Sequence, residues 1–406
     1  MIPILVNGAP HPPEMRGLLE RYVEAIERVS KPLSEPVRKA FLRVERHRFL
    51  EGFYRWEGPE QFTWVEVNPD APDQEVLKEI YSASPKGLPI KLSPEGFPTS
   101  STSSPPLMAY MLELLELKPG MKVLEIGTGT GYNAALMAEI VGSQELVTTL
   151  EIQPDLVERA RRLLHRAGYG GIKVVCTDGF HGWPEDSPFD RIVATTCCAD
   201  ISPHWLKQLS SEGWMLVPLY HGGETCAPLV KVDPKGEGKL LGGAGFAHAQ
   251  GMLSDSAIWA EGGKSLPSHM SGRKLIRLPT LSEFRRFVGC FHYFIALNEL
   301  CACTPWGLKG QAILLWDKLA DEGAGLIWQE DGWVQVVGSE RLINRLEELY
   351  DGYEELGRPG FESYQMEFQV RPAPLGGDVV QRLRQVGDRE WIIERQFTTQ
   401  RVWLPA

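Results

Sequence analysis

The sequence predicts an α/β fold built on a mainly parallel sheet, and three observations carry that prediction. Short apolar runs alternate with amphipathic segments between Leu107 and Leu219, a glycine-rich turn follows the first run, and an acidic residue closes the second. The strand candidates are Lys122–Ile126, Leu146–Glu151, Ile172–Cys176, Arg191–Ala194 and Trp214–Pro218. Helices fill the gaps at Leu107–Leu117, Asn133–Val141, Pro154–Ala167 and Pro203–Leu209, with Pro154 and Pro203 suited to first helical turns because no N–H is needed there. Such alternation places helices on both faces of parallel strands.

The flanking regions read differently. Upstream, Leu18, Leu19, Tyr22, Val23, Ile26 and Val29 recur at helical spacing, and a second helix is expected from Glu35 to Arg46. Between Glu51 and Ser104 the chain is rich in Pro, Gly, Ser and Trp with little period, which predicts wrapped loops with short elements. Downstream, a hairpin is expected at Ala227–Val232 and Lys239–Phe246. The remainder mixes helices at Thr280–Asn298 and Ser339–Glu355 with strands at Ala312–Leu315, Trp333–Val337, Tyr364–Val370 and Trp391–Arg395. The expected division is 1–104, an N-terminal helical segment with substrate-side loops; 105–255, the parallel-sheet domain; and 256–406, a C-terminal α+β domain.

Composition narrows the function classes. At 406 residues the chain exceeds what one core usually supports. The formal charge of −11, with no long Lys/Arg cluster, opposes nucleic-acid binding, because phosphate neutralisation needs a basic face. No apolar run is long enough to span a membrane, and the N-terminus lacks a basic stretch and cleavage site, so a cytoplasmic protein is expected. The seven cysteines sit mostly in apolar runs without zinc-knuckle spacing, and are read as reduced core thiols with no metal site.

The strongest local signal is Val123-Leu-Glu-Ile-Gly127-Thr-Gly129-Thr-Gly131-Tyr132, a strand entering a glycine loop that opens a helix. Glycines let the backbone approach a ligand where Cβ atoms would collide. Glu151 ends the next strand, where a carboxylate can accept from both ribose hydroxyls. The rival is a dinucleotide dehydrogenase, whose G-x-G-x-x-G loop rests a pyrophosphate on the helix N-terminus. Here the loop is G-x-G-x-G, with Tyr132 in place of the third glycine of that pattern. Glu125 before the turn would repel a pyrophosphate but attract the ammonium of a methionine moiety. The loop therefore points to S-adenosylmethionine, in a Rossmann-like class I methyltransferase domain; a glycine turn without ligand is the bland alternative. Asp178-Gly179, past the third strand, can accept from an adenine amino group or simply form a turn. The stretch Thr99-Ser-Ser-Thr-Ser-Ser-Pro-Pro106 reads either as a serine-rich linker with Ser104 capping a helix, or as a hydroxyl cover over the transferred methyl.

These residues resemble the protein-L-isoaspartate (D-aspartate) O-methyltransferase family over roughly 34–250. Its elements stand in order: VRKAFLRVERHRF, TSSTSSPPLMAYMLELLELKPG, VLEIGTGTGYNAALMAEIVG, LEI, TDG, FDRIVATT and LSSEGWMLVPL. The resemblance implies a carboxyl methyltransferase in which Ser103 lies beside the methyl and the substrate carboxylate, with Ser101 and Thr102 as substrate contacts. It implies cofactor contacts at Glu125, Gly127, Gly129, Gly131, Glu151, Asp178 and Gly179. Ser103-Ser104-Pro105 departs from the family's usual S-Q-P or S-A-P. The C-terminal stretch around Asp331-Gly-Trp-Val and Gly357-Arg-Pro-Gly360, with Trp391 and Trp403, is similar to extensions of members that tailor ribosomal peptides through aspartimide or isoaspartate. The expected partner is a peptide or protein bearing aspartate or isoaspartate, with no nucleic acid and no membrane. General isoaspartyl repair and a non-catalytic binding module are the alternatives, and core packing is the alternative role for the late tryptophans.

Overall fold

The computed structural model describes residues 13–58, 61–221, 227–254, 273–299, 302, 310–317, 319–375 and 382–406. It divides into two compact units. One comprises Met1–Thr196, His204–Val217 and Ala247–Met252; the other comprises Cys197–Pro203, Pro218–Phe246 and Leu253–Ala406.

In the first unit, α1 (Pro13–Val29) buries Leu19, Tyr22, Val23 and Ile26 on one face. The second helix, α2 (Glu35–Arg43), stops earlier than expected. Val44 turns extended, and a 3-10 turn at Arg46–Phe49 then buries Arg46, His47 and Phe49. Residues 51–104, expected as wrapped loops with short elements, hold four short strands and a short helix. Strands β1 (Gly52–Gly58) and β2 (Gln61–Glu66) pair antiparallel. Helix α3 (Gln74–Ile80) is capped by Asp73, whose carboxylate accepts from the Glu75 and Val76 amides. Strand β3 (Leu88–Leu92) pairs antiparallel with β4 (Pro98–Thr102). The serine-rich stretch is thus a strand into Thr102 rather than a linker. Its inward residues, Ser100 and Thr102, are hydroxyl-bearing, so no apolar alternation announced it.

Helix α4 (Pro105–Leu115) leads to the parallel sheet. This contains β5 (Val123–Ile126), α5 (Tyr132–Val141), β6 (Val147–Glu151), α6 (Pro154–Ala167), β7 (Lys173–Cys176), β8 (Phe189–Ala194), α7 (Pro203–Gln208) and β9 (Leu209–Pro218). Within the unit the strand order is β9-β8-β5-β6-β7, every pair parallel. β5 and β6 are buried along their whole length. The first strand therefore lies centrally, with successive strands added on one side and then the other.

The second unit is antiparallel. Its larger set of strands is β10 (Ala227–Val232), β11 (Glu237–Ala244), β16 (Gln365–Val370), β17 (Arg382–Gly387), β18 (Glu390–Glu394) and β19 (Thr398–Trp403), in the order β10-β11-β16-β19-β18-β17. A separate sheet, β12-β15-β14-β13, uses β12 (Arg273–Arg277), β13 (Gln311–Asp317), β14 (Glu322–Trp328) and β15 (Trp333–Gly338). Helix α9 (Glu340–Glu355) packs on β14 and β15, and α8 (Leu281–Ala296) on β13 and α9. Thr280 and Glu283 close α8 with a reciprocal capping box. Trp391 is fully buried, edge-on to Phe294, with its indole N–H on Asn298. Buried Asp200 accepts from the Phe397 and Thr398 amides and the Thr398 hydroxyl, while Arg395 donates to the Ala199 and Tyr220 carbonyls.

Among the described residues no helix is long and apolar enough to cross a membrane. Cys197, Cys198 and Cys290 are buried thiols; Cys176 is exposed, against the expectation of core burial. Cys226, Cys301 and Cys303 lie outside the described residues.

Candidate active site

The strand order sets the place of the site. Chain connections leave β5 and β8 in opposite directions, and open parallel sheets bind ligands in the crevice this creates at the carboxyl ends. The glycine loop 127–131 leaves β5 there. Gly127, Gly129 and Gly131 all have positive φ, at 99°, 53° and 81°. A Cβ on Gly127 would stand 2.9 Å from the Thr195 hydroxyl, which itself donates to the Gly127 carbonyl at 2.6 Å. A Cβ on Gly129 would stand 3.2 Å from the Ser101 carbonyl. The loop is therefore closed on one side by the end of β8 and on the other by β4. This brings the serine stretch and the glycine loop together although nearly thirty positions separate Ser101 from Gly129.

Each acidic residue expected at the site is already held by donors. Glu151 Oε2 accepts from the Gly129 amide at 3.1 Å, and Oε1 accepts from the Gln153 amide at 3.2 Å. Burial raises its pKa, opposed by those backbone donors. Glu125 is fully buried. It accepts from Asn133 Nδ2 and from the Thr149 hydroxyl, each at 2.7 Å. Burial pushes its carboxyl up to about 7, against the pull of these two donors. Asp178 Oδ1 accepts from the Phe180 amide, forming the turn expected of Asp-Gly, and Oδ2 accepts from the Met252 amide, both at 2.9 Å. Each oxygen keeps a further lone pair for a ligand donor. Gly179 lies so close to β5 that a Cβ would fall 2.4 Å from Ile126 Cγ2.

Ser101 and Ser103 are half-buried, whereas Thr102 is buried, its hydroxyl 3.5 Å from Arg46 Nε. Ser104 occupies the N-cap position of α4, but its side chain makes no capping bond. The sequence reading missed Asn133, Thr149, Thr195, Met252 and Arg46. Thr149 pairs with Glu125 only through the parallel register of β5 and β6, which no local pattern displays.

A family model for protein-L-isoaspartate(D-aspartate) O-methyltransferase matches residues 74–243. The protein-L-isoaspartate O-methyltransferase of Thermococcus sibiricus is 36% identical over 230 residues, which are 56% of this chain and 90% of that one. The chain belongs to that family. A second relative, the protein-L-isoaspartate O-methyltransferase 2 of Archaeoglobus fulgidus, is 34% identical over 221 residues, 54% of this chain and 85% of its own. A solved structure titled protein-L-isoaspartate O-methyltransferase aligns with TM-score 0.49 and 24% identity, over 86% of this chain and 95% of that chain. As a member, the chain is an S-adenosylmethionine-dependent methyltransferase. The site fits that cofactor. Its three glycines hold a positive-φ turn at the carboxyl end of β5, packed against neighbours that leave no room for a Cβ, and Glu151 and Asp178 retain acceptor capacity at the strand ends.

Proposed function

We propose that this protein-L-isoaspartate O-methyltransferase relative methylates an aspartyl or isoaspartyl carboxylate, and that its favoured substrate is a ribosomally synthesised, modified peptide. One observation carries the choice of a dedicated peptide. The segment shared with the Thermococcus relative is 90% of that protein but only 56% of this chain, and the C-terminal part folds into strands and helices of its own. In this reading residues 1–104 supply the substrate side, 105–255 bind the cofactor and 256–406 recognise the peptide. The β1–β2 hairpin supports a peptide-binding role. Tyr54 pairs with Trp64 and Trp56 with Phe62 on one face, with Trp56 66% exposed. β1 packs on β3, the partner of the strand that carries Ser101.

When bound, S-adenosylmethionine would supply an electrophilic sulfonium methyl for a carboxylate oxygen, with S-adenosylhomocysteine as the leaving group. A carboxyl with reference pKa near 4 is already ionised at pH 7, so no general base is required. The chain's work is alignment and exclusion of water, together worth about 7–11 kcal/mol. Ser103 donates one hydrogen bond to orient the carboxylate and Ser101 completes the substrate side, whereas Thr102, expected as a substrate contact, is buried with its hydroxyl facing Arg46 and supports the strand instead. Glu151 would hold the ribose, Asp178 and Gly179 the adenine and Glu125 the methionine ammonium, with Gly127, Gly129 and Gly131 giving the close-packed backbone. The resulting ester closes to an aspartimide by attack of the next amide nitrogen with loss of methanol, and addition of water to either ring carbonyl opens it to aspartate or isoaspartate.

General protein repair is the second reading, favoured by the names of the Thermococcus and Archaeoglobus relatives. A methyl-transfer assay separates the two. The dedicated reading expects turnover on a peptide encoded beside the gene and little on a generic isoaspartyl hexapeptide. Robust turnover on the generic peptide defeats it.

A further inference from the structure

Arg46 is 1% exposed, yet among the described residues its bonding partners are carbonyl oxygens and one hydroxyl, with no carboxylate. Nη1 donates to the Ile80 carbonyl at 3.2 Å. Nη2 faces the carbonyls of Lys86 at 3.0 Å and of Thr102 and Ser103 at 3.2 Å each, while Nε faces the Thr102 hydroxyl. Three buried tyrosines, Tyr22, Tyr81 and Tyr132, lie near enough for the Arg46 charge to draw their hydroxyl pKa values down, against the burial that raises them. Burying a guanidinium without a counter-charge costs several kcal/mol unless its donors are satisfied. Here they are satisfied by three separate stretches of chain, the end of α3, Lys86 and the peptide that joins β4 to α4.

We infer that Arg46 is a positioning residue for methyl transfer, setting the Ser103 hydroxyl by gripping the Thr102–Ser103 backbone. The inference rests on the role proposed above for Ser103. On one side the β4 backbone at Ser101 abuts the glycine loop; on the other Arg46 bonds two consecutive carbonyls. Ser103 is at the end of this clamped segment, its carbonyl bound and its hydroxyl in no side-chain bond among the described residues. Nη2 gathers three of the carbonyls, while Nη1 and Nε reach the Ile80 carbonyl and the Thr102 hydroxyl; an ammonium presents its donors from a single point and cannot serve both sets at once.

The test uses the full chain carrying Arg46→Lys or Arg46→Ala. Hydrogen exchange without any substrate should show peptides spanning 98–107 exchanging about tenfold faster, with 123–151 unchanged. On the peptide encoded beside the gene, kcat should fall roughly 10- to 100-fold, as a sub-ångström to 1 Å misplacement produces, while S-adenosylhomocysteine affinity by calorimetry stays within about twofold. Ethylguanidinium should restore part of the activity of Arg46→Ala and none of Arg46→Lys, whose side chain fills the space. Wild-type exchange at 98–107 overturns the inference. So does a loss of cofactor affinity in step with kcat and without rescue, the mark of a purely structural residue. If Arg46→Ala does not fold, Arg46→Lys decides by the same readouts. If the wild-type chain leaves the peptide unmethylated, that substrate reading fails and the exchange experiment still decides the role of Arg46.

Discussion

Ser103 and Glu125 show how differently two residues of one site respond to substitution. Ser103 is half-buried at the end of β4, and its proposed task is a single hydrogen bond to an ionised carboxylate. Such a bond is worth about 1.5–3 kcal/mol, so Ser103→Ala should lower kcat by roughly 10- to 100-fold while leaving S-adenosylhomocysteine affinity unchanged by calorimetry. Full activity in that variant removes Ser103 from the mechanism. Glu125 acts through its charge. Burial raises its carboxyl from 4.5 to about 7 in the folded chain, so between those values the folded state holds a proton that the unfolded state releases. Its contribution to stability is therefore full below about pH 4.5, declines as pH rises towards 7, and is level above. The loss is on the order of 3 kcal/mol at one pKa unit per 1.36 kcal/mol. Glu125→Gln should remove this decline. Urea denaturation of the apo chains should show the variant gaining on wild type between pH 5 and pH 8, and equal slopes would exclude a raised Glu125.

At the scale of elements, legibility followed how sharply each end is punctuated. Helix α6 matches its expected span at both ends because Pro154 suits the first turn and Gly168 accepts the left-handed turn, with φ 88°, that stops it. Helix α2 was read three residues too long, since nothing local in Val44-Glu45-Arg46 shows that tertiary burial of Arg46 and Phe49 outweighs helix continuation. Strand β4 was missed because its inward positions are Ser100 and Thr102. The glycine loop was legible as a ligand cradle, but its dependence on its neighbours was not. Gly131 combines φ 81° with a would-be Cβ 2.9 Å from Leu164 Cγ on α6. Gly131→Ala should accordingly cost about 1–3 kcal/mol and push α5 away from α6, weakening cofactor binding as well. Chemical denaturation with calorimetry tests this, and wild-type values for both would show that the loop tolerates a Cβ.

For the whole molecule, the first unit was largely readable and the second only in part. In the first, the buried parallel strands were legible as short runs between well-punctuated helices, even though β5 and β6 bury Glu125, Thr148, Thr149 and Glu151 among their apolar residues. In the second, β12 (Arg273–Arg277) and β17 (Arg382–Gly387) are polar strands at sheet ends, exposed along most of their length, and their sequences carry no two-residue period to find. Trp391 was expected either to bind a peptide or to pack, and its burial among Phe294, Tyr364 and Asn298 assigns it to packing. Any recognition by the second unit must then use other residues. The division of labour proposed here has a direct consequence for hydrogen exchange. S-adenosylhomocysteine at about 100 times its Kd stabilises the states that bind it by about 2.7 kcal/mol, so it should slow exchange at 127–133, 151–153 and 178–180. The amides of β13, β14, β15 and α9 should remain at their free rates. A genuine peptide substrate, added to the cofactor-bound chain, should slow exchange at Ser101–Ser103 and at some of those C-terminal elements together. Protection confined to the first unit would assign peptide recognition to the β1–β2 hairpin and β4 alone, leaving the C-terminal part without a role in choosing the substrate.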